Sequence, residues 1–123
     1  MKIGFLLISL FALPLCSPGN EITGLFSSFR MSERSGDIVG MELHLVPDPT
    51  GYSIVVHASE GAPAYPETYP VKIEGNEITF SLPETTKCGL PPGNYRARIT
   101  ADALELAGPY KSWVVPRKHS FWQ

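Results

Sequence analysis

One segment constrains the fold of this chain more than any other: residues 38–58 carry the pattern of a β-hairpin. Apolar side chains fall on odd positions in its first arm and mostly on even positions in its second, with the turn formers Asp48-Pro49-Thr50-Gly51 between them. A loop at these residues fixes a register with one apolar and one polar face: Pro47 opposite Tyr52, Leu45 opposite Ile54, Leu43 opposite Val56, Met41 opposite Ala58, and Glu42 opposite His57. The sequence therefore predicts a hairpin with one buried face.

Two later segments show the same alternation. The two-residue turn Gly75-Asn76 predicts a second hairpin, with pairs Ile73–Ile78, Val71–Phe80 and Lys72–Thr79. A turn at Ala101-Asp102 predicts a third hairpin, in which Ile99 faces Leu104 inside and Arg98 faces Glu105 outside. Segments rich in proline and glycine precede the second and third hairpins, at residues 60–70 and 83–93, and are expected to be loops or edge segments.

The start of the chain has the features of a secretory signal peptide. A basic Met1-Lys2 leads into an apolar run from Ile3 to Leu15, and small residues precede a cleavage point before Asn20. The run is shorter than the about 20 residues that a membrane helix needs, and no later segment is apolar enough to span a bilayer. We therefore expect a signal peptide at residues 1–19 and one all-β domain at 20–123, exported to the periplasm or the medium.

Cys16 directly follows the apolar run, where a bacterial lipoprotein carries its lipidated cysteine. Leu15 stands where that motif has Gly, Ala or Ser. Lipidation, which would tether the protein to a membrane, is therefore the alternative to removal of Cys16 with the signal peptide. A Cys16 that is retained without lipid could pair with Cys88 in an oxidising compartment. Without it, Cys88 is expected to be a bystander thiol in a loop.

The remainder of the chain predicts a small antiparallel meander. Residues 24–31 form a first strand and residues 112–115 a last one, and no window shows helical periodicity. Seven to eight short strands in succession favour an up-and-down barrel, with a two-sheet sandwich as the alternative. This meander behind an export signal resembles the calycin architecture, which includes the lipocalins, although Leu25 and Phe26 follow Gly24 where lipocalins have Gly-x-Trp. A barrel of this length would be filled mostly by side chains, leaving room for at most a small ligand.

No catalytic motif is present, so we expect a protein that is not an enzyme and needs no cofactor. There is no nucleophile elbow, phosphate loop or His-Glu-x-x-His sequence. His44, His57 and Glu42 share the outward face of the first hairpin and are weak candidates for a metal site. They are better interpreted as a solvated face with a His–Glu pair. Without Lys2 the chain has nine basic and 12 acidic side chains, spread singly, which argues against nucleic acid as a partner.

Aromatic side chains are the remaining candidates for recognition. Tyr65 and Tyr69 lie in a proline-stiffened segment, where they could either contact a ligand or partner or seal the end of the barrel. The same alternatives apply near the C-terminus to Tyr110, Trp113, Phe121 and Trp122. Of these, Phe121 and Trp122 are expected to dock on the barrel or close its last seam, because exposed they would form an aggregation-prone patch.

Two functional hypotheses follow from this pattern. The first is an exported, non-catalytic barrel that binds a small apolar ligand at its mouth or an envelope partner on its surface. The second is an envelope-associated structural or inhibitor-like protein that acts through the proline- and tyrosine-rich loops at residues 62–70 and 85–93. The sequence specifies neither the ligand, the partner nor the oligomeric state.

Overall fold

The fold is known from a computed structural model, which describes residues 22–61 and 64–122. These residues form nine antiparallel strands and no helix: β1 Gly24–Ser27, β2 Arg30–Met31, β3 Ile38–Asp48, β4 Gly51–Gly61, β5 Glu67–Glu74, β6 Glu77–Leu82, β7 Gly93–Ile99, β8 Ala103–Ala107 and β9 Ser112–Pro116. The sheet runs in the order β1-β3-β4-β5-β6-β7-β8-β9, with β2 beside β3. This is the predicted meander.

The sheet curves until its first and last strands meet, which makes a nearly closed, barrel-like structure. Phe26 in β1 forms an isolated bridge with Arg117, directly after β9. The N–H of Lys118 donates to the carbonyl of Leu25 at 3.3 Å. A barrel removes the unpaired edges that an open sheet would expose. The expectation of a small antiparallel barrel is therefore confirmed, and the sandwich alternative is not needed.

The predicted registers hold in all three hairpins, with one exception. Strands β3 and β4 pair as expected from Met41–Ala58 to Pro47–Tyr52, and β7 pairs with β8 through Ile99–Leu104. In the second hairpin, however, the ladder between β5 and β6 ends at Lys72–Thr79. The predicted pair of Val71 with Phe80 is wrong, because the two strands separate at that level.

Two segments differ from their expected boundaries. The first predicted strand is interrupted between β1 and β2, where Gly40 of β3 has φ +110° and lies against the carbonyl of Ser28. A Cβ on Gly40 would come within 2.3 Å of that oxygen, so no other residue fits there. This interruption is why nine strands appear instead of seven or eight. The segment at 60–70 is also not all loop, since β5 begins at Glu67 and contains Tyr69 and Pro70.

The core fills the interior of the barrel. Inward-facing side chains from β1, β3, β4 and β6 to β9 are buried together: Phe26, Met41, Leu43, Leu45, Ile54, Val56, Ile78, Phe80, Leu82, Tyr95, Ile99, Leu104, Leu106 and Val115. Those of β5 are only partly buried against them. The connection at residues 83–92 adds Cys88 and Leu90 to this core. Cys88 lies in a loop, as predicted, but its side chain is part of the core. It is a fully buried plug, and burial raises the pKa of its thiol.

Tyr95 makes the folded protein sensitive to alkaline pH. Burial raises the pKa of its phenol from 10.0 to about 12. Since the unfolded chain loses this proton first, the stabilisation is complete below pH 10 and is lost as the pH rises to about 12. We expect Tyr95→Phe to flatten the alkaline fall in the free energy of unfolding, measured with urea from pH 8 to 12.

The phenol of Tyr95 also donates to the carbonyl of Pro91 at 2.7 Å, so the variant should be less stable than the wild type below pH 10. Tyr65→Phe, at an exposed position, is the control and should leave the alkaline fall unchanged. An equally steep fall in Tyr95→Phe would contradict the assignment.

Candidate functional site

The two ends of the barrel differ in the length and character of their connections. At one end, which we call the turn end, three short connections lie at residues 49–50, 75–76 and 100–102. At the other, the loop end, the connections lie at residues 28–37, 62–66, 83–92 and 108–111. Loops of this kind on a rigid scaffold are the usual location of binding residues.

Exposed apolar side chains collect at the loop end. Tyr110, in the β8–β9 connection, is 80% exposed, and Tyr65, in the β4–β5 connection, is 69% exposed. Met31, in the short strand β2 that leads into the same end, is 58% exposed. Folding alone does not account for these three side chains, since each leaves most of its apolar surface in water. Three exposed apolar side chains on the connections of one end make that end the candidate interaction surface.

The backbone around Tyr110 is held firmly. The N–H of Gly108 donates to the carbonyl of Lys111 at 2.9 Å, which closes the turn that carries the tyrosine. Gly108 fits between two rings, because a Cβ there would lie 2.6 Å from Tyr95 and 3.2 Å from Trp113. A ring presented on a fixed turn loses little conformational entropy when a partner binds.

A groove of about 450 Å³ lies beside this turn. Met41, Ala58 and Leu90 line it with apolar surface, and the charged side chains Glu60 and Lys111 stand at its edge. Trp113 also lines it, with the Lys111 ammonium 5.5 Å from the centre of its ring. The groove therefore combines apolar surface with one charge of each sign.

Tyr65 lies elsewhere on the same end, and its backbone is attached to the 83–92 connection. Its N–H donates to the carbonyl of Lys87 at 2.7 Å, and the Lys87 ammonium lies 6.0 Å from its ring. Tyr65 thus lies in a loop, as predicted, and its side chain is exposed.

Tyr69 has a different role, because it points from strand β5 against the core. Its hydroxyl donates to Glu67 Oε1 at 2.5 Å, and the same oxygen accepts the N–H of Lys87 at 2.9 Å. These two bonds lower the pKa of Glu67, and burial raises that of Tyr69. Tyr69 is half-buried and supports the Glu67 carboxylate that holds the 83–92 connection, which is closer to the predicted sealing role than to a contact role.

Two of the four C-terminal aromatics, Phe121 and Trp122, dock on the barrel wall and on Phe29 of the 28–37 connection. Phe121 and Trp122 lie on the outer face of β1, β3 and β4, where both make edge contacts with Phe29 at centroid distances of 6.2 and 5.8 Å. Trp122 also stacks on His57. The four aromatics predicted near the C-terminus thus divide into two groups. Phe121 and Trp122 dock on the outside of the barrel, as expected.

The same tail covers Glu42, which corrects the interpretation of a solvated His–Glu face. The buried carboxylate accepts hydrogen bonds from Ser27 Oγ at 2.9 Å, Ser120 Oγ at 2.9 Å and the N–H of Phe121 at 2.6 Å. His57 lies opposite Glu42 in the ladder as predicted, yet the two form no ion pair. The sequence could not reveal this role, because the residues that bind Glu42 lie far from it along the chain.

No metal site forms around these residues. Across residues 22–61 and 64–122, no three His, Cys, Asp or Glu side chains are placed to hold an ion together. His44 is exposed, Glu42 is occupied by the tail, and His57 lies under Trp122. Cys16 and the expected signal peptide lie outside the described residues, so their predictions stand as made.

No protein-family model, curated protein or solved structure matches this chain. Within the described residues there is no helix with the length and hydropathy needed to cross a bilayer. The function therefore has to be inferred from the surface itself.

Proposed function

We propose that this protein is an exported, non-catalytic binding domain that recognises a partner protein with the loop end of its barrel. The observation that carries the proposal is the concentration of Met31, Tyr65 and Tyr110 at that end. Tyr110 is the anchor, because it stands on a fixed turn beside an apolar groove. Tyrosine is among the residue types that contribute most to binding energy at protein interfaces.

The filled interior supports recognition on the outside over carriage of an apolar ligand inside. Cys88 and Leu90 occupy the loop end of the core, where an internal ligand would have to enter. The backbone there is tied down, since the N–H of Ala58 donates to the carbonyl of Cys88 at 2.7 Å. Opening this end would break that bond and expose both side chains.

The proposal is tested by site-directed photocrosslinking in the organism that produces the protein. A benzophenone amino acid replaces Tyr110 in one variant and Val114 in a matched control. Val114 is also exposed and apolar, at 68%, but it lies on the wall of the barrel in β9. We expect irradiation to give one discrete heavier adduct from position 110 and none from position 114.

Loss of binding then provides the second measurement. Once the crosslinked partner is identified and purified, Tyr110→Ser should weaken its affinity by tenfold or more, as expected for an anchor residue. The fold should be unaffected, because the side chain is exposed. Equal crosslinking from both positions, or unchanged affinity in Tyr110→Ser, would overturn the proposal.

A further inference from the structure

The wall of the barrel has a gap between β5 and β6. Near their shared turn the two strands pair from Glu74–Glu77 to Lys72–Thr79. Beyond that point β5 continues beside β4, and β6 continues beside β7 to Leu82. The outer surface there carries a groove of about 720 Å³, larger than the groove beside Tyr110.

Pro70 explains why the pairing stops. Residues that flank a two-residue turn exchange both backbone bonds, so Glu74, Lys72 and position 70 all direct their backbone polar groups at β6. The pairing of β5 with β4 gives the same assignment. In the register set by the turn at residues 49–50, the backbone groups of Val71 and Tyr69 bond β4, so those of Pro70, which lies between them, face β6. The missing N–H of Pro70 is therefore missing on the β6 side.

The rim of β6 consequently has unused hydrogen-bonding groups. Ser81 stands where a partner of Pro70 would be, and its N–H and C=O point away from β7 toward the gap. The ladder of the described residues gives these two groups no strand partner. Its hydroxyl is already used, since it donates to Asn94 Oδ1 at 2.7 Å. An extended peptide could bind Ser81 by strand addition.

The side chains around the gap favour an acidic occupant. Lys72 and Arg96 both line the groove, one on each side of Thr79, at a separation of two strand spacings, about 10 Å. Both are exposed, and neither forms an ion pair with any described residue. The described lining includes no carboxylate. By contrast Arg98, further toward the turn, is already paired with Glu105.

We propose that this gap is a binding site for a short, extended, acidic peptide segment of a partner, which pairs its backbone with Ser81 and places its carboxylates at Lys72 and Arg96. The site is on the wall of the barrel and is separate from the loop end, so it does not depend on the function proposed above.

The test uses isotope-labelled protein and two synthetic peptides of equal length. The probe is acetyl-Thr-Glu-Val-Glu-Thr-amide, and acetyl-Thr-Lys-Val-Lys-Thr-amide is its charge-reversed control. We expect the acidic peptide to shift the backbone amide resonance of Ser81, and the basic peptide to bind at least tenfold more weakly. Sodium glutamate at equal charge should not reproduce the shift, because it cannot add a strand.

Two variants separate the backbone contribution from the charge contribution. Pro70→Val restores the N–H and should let β5 close on β6, so the amide of Ser81 becomes protected from hydrogen exchange and the peptide affinity falls at least tenfold. The double variant Lys72→Glu/Arg96→Glu should weaken binding by a similar factor without protecting that amide. Tyr110→Ser should change neither result.

Several outcomes would overturn the inference. The first is equal affinity for the acidic and the basic peptide. The second is that sodium glutamate alone reproduces the shift of the Ser81 amide resonance caused by the acidic peptide. The third is that Pro70→Val binds the acidic peptide with full affinity although its Ser81 amide is protected from exchange. If Ser81 stays unprotected in Pro70→Val, the explanation of the gap is wrong.

Discussion

Replacing Arg117 with methionine should lower the free energy of unfolding by about 3 kcal/mol. Among the described residues, its guanidinium donates to the backbone carbonyls of Thr23 at 2.9 Å, Thr100 at 3.2 Å and Ala101 at 3.2 Å. The first of these precedes β1 and the other two lie between β7 and β8. This side chain thus joins the end of β9 to two other segments of the turn end.

The same guanidinium lies 4.6 Å from the centre of the Phe26 ring, so it also covers the core beside the seam. Methionine retains some of this apolar contact but leaves the three carbonyls without their donor. Lysine would keep the charge over Phe26 and could reach only part of the carbonyl set, so Arg117→Lys should lie between the two. Urea denaturation at neutral pH measures all three proteins.

Arg98→Met is the matched control, because Arg98 is also an arginine of the barrel wall but its ion pair, with Glu105 at 3.2 Å, is exposed. Such a pair contributes less than about 1 kcal/mol. We further expect amide exchange to accelerate in β1 and β9 of Arg117→Met and to remain slow in β4. A stability loss no larger than that of Arg98→Met would show that the seam does not depend on Arg117.

The sequence predicted the hairpins well because each is a local pattern. The β3–β4 register follows from alternation and a turn only, and both are visible within residues 38–58. The Gly75 turn is equally local, and its φ of +64° is the conformation that a turn with glycine first requires. Where the turn residues and the residue pairs on both faces indicate the same strand register, contacts with the rest of the protein are not needed to predict it.

The features that the sequence did not reveal depend on contacts between distant residues. Glu42 looked solvated because nothing near it in sequence covers it, whereas residues 120 and 121 do so in the fold. The burial of Cys88 was not predicted, because the 83–92 connection shows no apolar periodicity. The gap at Pro70 was open to prediction, because hairpin parity assigns its missing N–H to the β6 side.

These misses affect the candidate site more than the fold. Recognition residues were sought among aromatics, but Tyr69 is structural and Phe121 and Trp122 form a docked tail. Of the predicted set, Tyr65, Tyr110 and Trp113 remain at the loop end. Met31, Lys72 and Arg96 were not singled out, since exposure and the absence of an ion partner are properties of the fold and not of any motif.

The tail and Glu42 should prove to be energetically coupled, and a double-mutant cycle is the way to measure it. In the full chain, Glu42→Leu should cost about 2–4 kcal/mol, because the buried donors of Ser27, Ser120 and Phe121 lose their acceptor. After deletion of residues 120–123 the same substitution should cost less than about 1 kcal/mol, since the carboxylate is then hydrated and its tail donors are gone.

The difference predicts a coupling of roughly 2 kcal/mol between two parts of the chain more than 70 residues apart in sequence. Glu105→Leu in the same two backgrounds is the control and should be additive, because Glu105 lies on the exposed face of β8, away from the tail. Additivity for Glu42 as well would mean that the tail lies on the barrel without being held there. Coupling would instead establish that Ser120 and Phe121 hold Glu42 in its buried state. Although Glu42 lies on the most local and predictable hairpin of the chain, a pattern confined to residues 38–58 could not predict these surroundings.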